Sequence, residues 1–102
     1  MKKILLYDGN KICTEILYDK ETRKVDIYNH TDDMIKRAFG IKSSVTWDDL
    51  EIFLESRCFS KERADACILL ADMGLNSYDP WEIVRITEGR KEEDQQWLQL
   101  ID

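Results

Sequence analysis

The sequence is poor in the residues that most often carry out catalysis. Its one histidine, His30, lies between a predicted strand and a predicted helix cap, without a nucleophile at the spacing that acid–base catalysis requires. The four glycines form no phosphate-binding loop, and the three cysteines form no CxxC pair. These absences argue against an enzyme, so we expect no catalytic residue, no cofactor and no metal.

The cysteines and the paired carboxylates have simple structural explanations. Cys13, Cys58 and Cys67 lie among apolar neighbours, so we expect three buried free thiols. The pairs Asp32-Asp33 and Asp48-Asp49 stand near predicted helix starts, where acidic side chains complement the helix macrodipole. Metal binding is not needed to explain these carboxylates.

Long apolar runs are also missing. Residues 1–7 look like the start of a signal peptide, but the apolar part is short and Asp8-Gly9-Asn10 interrupts it. We therefore expect a cytoplasmic protein without a membrane partner. With 43% hydrophobic and 35% charged residues, the chain of 102 residues is expected to form one domain around a single core.

Positive charge is scarce in the C-terminal part of the chain. Residues 1–30 hold six Lys or Arg and five Asp or Glu, whereas residues 31–102 hold nine and sixteen, and the whole chain has a net charge of −6. Nucleic-acid binding depends largely on neutralising phosphates, so this distribution disfavours it. It suits a basic protein partner.

The first thirty residues have the pattern of a β-meander. Residues 3–7, 11–18 and 24–29 are rich in β-branched and aromatic residues, which predicts three strands. Asp8-Gly9-Asn10 predicts a tight hairpin between the first two strands. Alternation along the second strand assigns four side chains to one face and Cys13 to the other. The four are Ile12, Thr14, Ile16 and Tyr18.

The remaining residues, 31–102, predict a helical part of three to four short helices. Residues 31–39 offer an apolar stripe with acids first and bases last, and Gly40 is expected to end this helix. Thr46 begins a capping box with Asp49 three residues later, which predicts a helix over residues 47–57. The fold class expected is α+β, with residues 1–30 as the meander and the whole chain as a single domain.

Two further helices are predicted after residue 60. Ser60 and Gly74 have the positions of a cap and a terminator for a helix over residues 61–73. Its predicted buried face is Ala64, Cys67, Ile68 and Ala71. Asp79 followed by Pro80 predicts a helix that runs to about residue 88 and stops at Gly89. The chain is expected to close with a short helix or turn.

Charged residues around Gly89 are the candidate binding residues. Arginine pairs well with carboxylates, so Arg57 is expected to pair with Glu55 or Asp94, and Arg90 with Asp94. The nearby acids follow no apolar periodicity and are expected to face outward. The predicted partner-binding residues are Arg85, Glu88, Arg90, Glu92 and Glu93.

A group of positions within residues 56–97 forms a pattern known from other proteins. The positions are Ser56, Arg57, Cys58, Phe59, Arg63, Leu75, Tyr78, Asp79, Pro80, Glu82, Ile83, Thr87, Gly89, Arg90, Glu93, Asp94 and Trp97. The pattern resembles small proteins encoded by gut Firmicutes and their mobile elements. It is also similar, more weakly, to the N-terminal accessory region of HipA-like kinases in those bacteria. The segment Tyr18-Asp19-Lys20-Glu21-Thr22 resembles the strand and turn that open this accessory region.

This resemblance implies a fold and a kind of partner, but no reaction. The chain departs from the pattern at Ser60, where proline is usual, and at Lys91, where an apolar residue is expected. These departures affect the local partner surface more than the fold. Kinase catalytic motifs are missing from the sequence, so the resemblance transfers no catalytic residue.

Three functional hypotheses remain open from the sequence. The first is a non-enzymatic protein-binding regulator, a partner of a HipA-like kinase in a toxin–antitoxin-type locus. The second is an acidic inhibitor, made by a phage or mobile element, that competes with nucleic acid for a CRISPR effector or another defence nuclease. The third is a DNA-binding repressor, although its recognition helix would offer Arg85 as the only base beside Glu82 and Glu88.

Overall fold

The sheet contains one strand more than the sequence pattern predicts. The computed structural model describes residues 2–101, so Met1 and Asp102 of the expected domain lie outside the described residues. The strands are β1 (Lys2–Asp8), β2 (Lys11–Asp19), β3 (Lys24–Asn29) and β4 (Gln96–Ile101). They form one sheet in the order β3-β2-β1-β4, and all neighbouring pairs are antiparallel. The three predicted strands are therefore confirmed.

The closing helix or turn expected after Gly89 is confirmed only as a turn at Glu92 and Glu93, and residues 96–101 form β4 instead. This strand pairs with the free edge of β1, from Asp8 opposite Gln96 to Lys3 opposite Ile101. Leu98 points into the core and is 1% exposed. The pairing satisfies backbone groups along β1 that the hairpin with β2 leaves open. The sheet thus draws on both ends of the chain.

The hairpin predicted at Asp8-Gly9-Asn10 is confirmed, and a β-bulge follows it. Gly9 has a φ of +63°, which a residue without a Cβ adopts without strain. The register then passes from Tyr7 opposite Ile12 to Leu6 opposite Thr14, which leaves Cys13 as an extra residue. The predicted alternation is therefore wrong at this end of β2: Cys13 is buried with Thr14, and Ile12 is 37% exposed.

Among residues 2–101 the helices are α1 (Trp47–Ser56), α2 (Ala66–Asp72) and α3 (Pro80–Thr87). The capping box of α1 is confirmed, since the Asp49 N–H donates to the Thr46 hydroxyl and the Thr46 N–H donates to the Asp49 carboxylate. The cap of α3 is also confirmed, since the Trp81 N–H donates to the Asp79 carboxylate at 3.0 Å.

The helix predicted over residues 31–39 does not form, and the chain makes consecutive turns there instead. The Asp33 N–H donates to the Thr31 hydroxyl, and the Ile35 N–H donates to the Asp33 carboxylate. Such local side-chain bonds compete with helical backbone bonds. Of the expected apolar stripe, Met34 and Ile35 stay in solvent, at 53% and 92% exposed, whereas Ala38 and Phe39 pack against the core.

Helix α2 is shorter than predicted and turns its other side inward. The segment over residues 61–65 forms turns, and the Ser60 hydroxyl accepts from the Glu62 N–H rather than capping a helix. All four residues of the predicted face are exposed, with Ile68 at 65%. Ala66 is buried instead, and Leu70 and Met73 pack against the core. Leu70 and Met73 are larger than the alanines of the predicted face, so packing their side of α2 against the core buries more apolar surface.

The core lies between the sheet and the helices. Inward side chains of the sheet, such as Ile4, Ile16 and Leu98, pack against Leu54 of α1 and Ile83 of α3. Two tryptophans close this layer at one end, where the rings of Trp47 and Trp81 stack at 5.5 Å beside Tyr18. None of the helices within residues 2–101 has both the length and the apolar character needed to cross a membrane.

Candidate functional site

One buried arginine holds the C-terminal loop against the end of α1. Arg57 is 7% exposed, although its guanidinium is charged. Its Nη1 and Nη2 atoms donate to the two carboxylate oxygens of Asp94 at 2.8 and 3.0 Å. Its Nε atom donates to the Gly89 carbonyl at 2.9 Å, and Nη2 donates again to the Gln96 carbonyl at 3.0 Å. These contacts fix both ends of the loop between α3 and β4.

The expected pair between Arg57 and Asp94 is therefore confirmed. The guanidinium lowers the pKa of the Asp94 carboxyl by hydrogen bonding, against a smaller opposing effect of burial. The expected pair between Arg90 and Asp94 is wrong, because Arg90 Nε donates to the Glu88 carboxylate at 3.0 Å. The Arg90 guanidinium also lies 4.8 Å from the ring centre of Trp97.

The loop begins at two residues in the left-handed region. Glu88 has a φ of +60° and Gly89 a φ of +64°. A Cβ at Gly89 would lie 3.1 Å from Leu98 and 3.3 Å from the Arg57 side chain, so glycine is needed for space as well as for conformation. The Leu98 N–H donates to the Glu88 carbonyl at 2.7 Å and joins the turn to β4.

A lysine fixes the middle of the same loop. Lys91 Nζ donates to the Ser56 carbonyl at 3.1 Å, at the C-terminal end of α1. A cation at this end of a helix complements the partial negative charge of the last carbonyl groups. Lys91 is one of the two positions at which the chain departs from the resembled pattern, and this contact gives it an intramolecular role.

The loop and segment 58–62 enclose a cavity of about 670 Å³. Phe59 and Ile83 supply an apolar lining, and Thr87 lies beside them. Charged side chains line the rest of this cavity: Glu62, Arg63, Arg90, Lys91, Glu92 and Glu93. The volume lies in the range of ligand and anchor pockets, about 300–1,000 Å³.

A second cavity of about 550 Å³ adjoins the first. The two share Cys58, Ser60, Glu62 and Lys91, and together they form what we call the 58–62 cleft. Ile52 of α1, which is 65% exposed, lines the second cavity. The cleft therefore offers exposed apolar surface surrounded by charge.

The thiol and the phenol in the cleft stay protonated at neutral pH. Burial, aided by Glu55 and Asp79, raises the pKa of Cys58 to about 12. Burial and the neighbouring Cys58 raise the pKa of Tyr78 to about 12 as well. Cys58 donates to the Leu54 carbonyl at 3.2 Å, and the Tyr78 hydroxyl donates to the Phe59 carbonyl at 2.6 Å. The protonated Cys58 thiol is a poor nucleophile. We therefore assign Cys58 and Tyr78 a role in packing.

Apart from Lys61, which lines the second cavity, the basic side chains of the cleft are engaged within the chain. Arg63 Nε lies 2.6 Å from the Asp65 carboxylate, and Arg90 and Lys91 make the contacts described above. The acidic side chains Glu92 and Glu93 have fewer partners within the chain. Glu93 is 80% exposed at its side chain and lies 3.8 Å from Lys91, while Glu92 makes no hydrogen bond or ion pair with residues 2–101. The charge offered to a partner is therefore mainly negative.

The structure brings most of the predicted binding residues together. Arg90, Glu92 and Glu93 line the larger cavity, and Glu88 joins them through its ion pair with Arg90. Arg85 is exposed on α3 but lines neither cavity of the cleft.

The sequence prediction missed the apolar part of the cleft. Phe59 follows the end of α1, Ile52 lies on the exposed side of α1, and neither was predicted as a candidate binding residue. The only sequence signal for Phe59 was its place beside Arg57 in the resembled pattern. Phe59 lines the cavity because the buried Arg57 holds the loop before β4 close to it. No local sequence pattern indicates this long-range contact.

No protein-family model, curated protein or solved structure significantly matches this chain. Within residues 2–101, no group of three or more His, Cys, Asp or Glu side chains is placed to hold a metal ion. The positions of the resembled pattern have identifiable structural roles. Arg57 and Asp94 anchor the loop, and Asp79 caps α3. The Thr87 hydroxyl accepts from the Gly89 N–H at 3.1 Å.

Proposed function

We propose that this chain is a non-enzymatic regulator that binds another protein through the 58–62 cleft. The observation that carries the proposal is the Arg57 anchor. It holds the loop over residues 89–96 in one position and places Glu92 and Glu93 at the rim of a cavity with an apolar lining. Apolar surface within a polar rim is the usual anatomy of a protein interface.

The cleft suits a protein better than a nucleic acid. The charges of Arg57, Arg63 and Lys91 are already offset by Asp94, Asp65 and Glu93 within the chain, so they attract phosphates less strongly. The exposed acids would repel a phosphate backbone. A partner segment with basic and apolar side chains meets neither obstacle.

The partner that the resemblance implies is a HipA-like kinase, in a locus of the toxin–antitoxin type. Several positions of the resembled pattern, Arg57, Gly89 and Asp94 among them, form the frame of the cleft. A defence nuclease is the second candidate partner, because the outward acids Glu92 and Glu93 could compete with nucleic acid for a basic channel.

Calorimetric titration of the chain against a purified HipA-like kinase from the host that encodes it tests this proposal. We expect saturable binding that weakens with added salt, since rim charges contribute to association. A Glu92→Lys, Glu93→Lys variant should bind about tenfold more weakly, as the loss of two charge contacts implies. Glu21→Lys, in the turn before β3 and outside the cleft, is the control.

Competition with added nucleic acid distinguishes a kinase partner from a nuclease partner. A kinase complex should persist when duplex DNA or guide RNA is added, whereas a complex with a nuclease should dissociate by competition. Sequence-specific DNA binding by the isolated chain would contradict both protein-partner functions and favour the repressor.

A further inference from the structure

We infer that the cleft takes a short basic amphipathic segment of its partner, in which a large apolar side chain stands between lysines or arginines. The inference rests on the proposed function, because it specifies the chemistry of what that cleft binds. It follows from the apolar lining, from the intramolecular pairing of the cleft's bases other than Lys61, and from the small number of partners that its acids have.

The apolar lining calls for an apolar anchor. Phe59 is partly exposed beside the fully buried Ile83, and Ile52 extends the apolar surface into the second cavity. Side chains that fill such a cavity and exclude water contribute most of the affinity at protein interfaces. A wholly polar segment would leave this surface unfilled.

Apart from Lys61, the bases of the cleft are poorly suited to an acidic segment, because each already has a partner within the chain. Arg63 is held by Asp65 at 2.6 Å, and Lys91 is held by the Ser56 carbonyl at 3.1 Å. Arg90 is held on two sides, by Glu88 at 3.0 Å and by the Trp97 ring at 4.8 Å. These contacts already offset part of each positive charge, which weakens its attraction to an incoming carboxylate.

The acids of the cleft have fewer such contacts. Glu92 and Glu55 make no ion pair within residues 2–101, and Glu93 keeps only its 3.8 Å contact with Lys91. Glu55 lines the second cavity and Glu92 and Glu93 the first, so each cavity has acids beside its apolar lining. Lysine or arginine on each side of the anchor matches this arrangement.

Three synthetic peptides of equal length provide the probes. The first places leucine at the i, i+3, i+4 and i+7 positions of an amphipathic helix and lysine at the others. The second replaces lysine by glutamate, and the third replaces leucine by serine. Each is titrated into isotopically labelled full-length chain at low salt, and backbone amide shifts are mapped. The leucine–lysine peptide should shift amides of residues 52–63 and 87–93, and the other two should bind at least about tenfold more weakly.

A matched pair of variants separates site binding from attraction to an acidic protein. Glu92→Lys with Glu93→Lys changes the net charge as much as Glu21→Lys with Asp26→Lys, which lies outside the cleft. The first pair should weaken the leucine–lysine peptide about tenfold and the second less than about twofold. Equal weakening, shifts outside the cleft, or preference for the glutamate peptide would overturn the inference.

The outcome is distinguishable from failure of the proposed function. If a kinase binds through the cleft while the leucine–lysine peptide does not, the inference is wrong and the proposed function stands. If no protein binds and the peptide occupies the cleft, the proposed function is wrong and the chemical inference stands.

Discussion

Replacing Arg57 by alanine removes the side chain that holds the loop before β4. The change deletes two bonds to the Asp94 carboxylate and one each to the Gly89 and Gln96 carbonyls. Loss of one partner from a buried ion pair costs about 3–5 kcal/mol when the other charge stays buried. Asp94 is 37% exposed at its side chain and can be hydrated again, which reduces this cost.

The carbonyl groups of Gly89 and Gln96 also lose their hydrogen bonds to Arg57, so the expected loss of unfolding free energy remains large. Each accepts from a charged donor, and such bonds contribute about 1.5–3 kcal/mol. We therefore expect Arg57→Ala to lower the free energy of unfolding by about 3–4 kcal/mol, a large share of the roughly 5–15 kcal/mol typical of a domain. Arg57→Lys keeps the charge but cannot reach all four acceptors, so it should cost about half as much.

Urea unfolding followed by tryptophan fluorescence measures both variants. The slope of the unfolding free energy against urea should stay unchanged, since the fold is retained, while the midpoint falls. A loss below about 1 kcal/mol for Arg57→Ala would refute the anchor. So would equal losses for the alanine and lysine variants, because the geometry of the guanidinium would then be irrelevant.

Three further outcomes follow from the same geometry. Gly89→Ala should lose about 2–4 kcal/mol from its left-handed φ and from crowding against Leu98, whereas Gly74→Ala, with φ +76° and open space, should lose only about 1 kcal/mol in urea unfolding. A thiol reagent should label exposed Cys67 rapidly and buried Cys13 and Cys58 only in denaturant; rapid native labelling of all three would contradict the packing. Because its pKa is lowered in the folded state, Asp94 contributes stability that is present above the ordinary aspartate pKa of about 3.9 and is lost as pH falls through the folded pKa. The stability gap between the natural chain and Asp94→Asn should therefore narrow in acid, and a constant gap would contradict the assigned cause.

The sequence predicts the parts of this fold whose signals are local. Strand composition placed β1, β2 and β3, and the caps at Thr46 and Asp79 placed the starts of α1 and α3. These signals depend on residues a few positions apart, so a single chain displays them completely. The pair between Arg57 and Asp94 was one of two expected partners of Arg57 and rested on the chemistry of arginine.

The remaining parts depend on contacts that no local window contains. Strand β4 forms because β1 presents a free edge about ninety positions earlier in the chain. Helix α2 carries two apolar stripes, and only the packed structure decides between them. The cleft forms only where α1, α3 and the loop meet, so the sequence did not indicate Phe59 as a binding residue. Glu92 and Glu93 could be predicted because their lack of apolar periodicity is a local signal.

Amide hydrogen exchange of the chain, alone and in complex with the proposed kinase partner, tests the central claim most directly. Binding through the 58–62 cleft should slow exchange in residues 57–63 and 87–94, and exchange along β3 and its preceding turn should stay as in the free chain. Protection confined to β3 and that turn, with residues 57–63 and 87–94 unchanged in a saturated complex, would contradict the account.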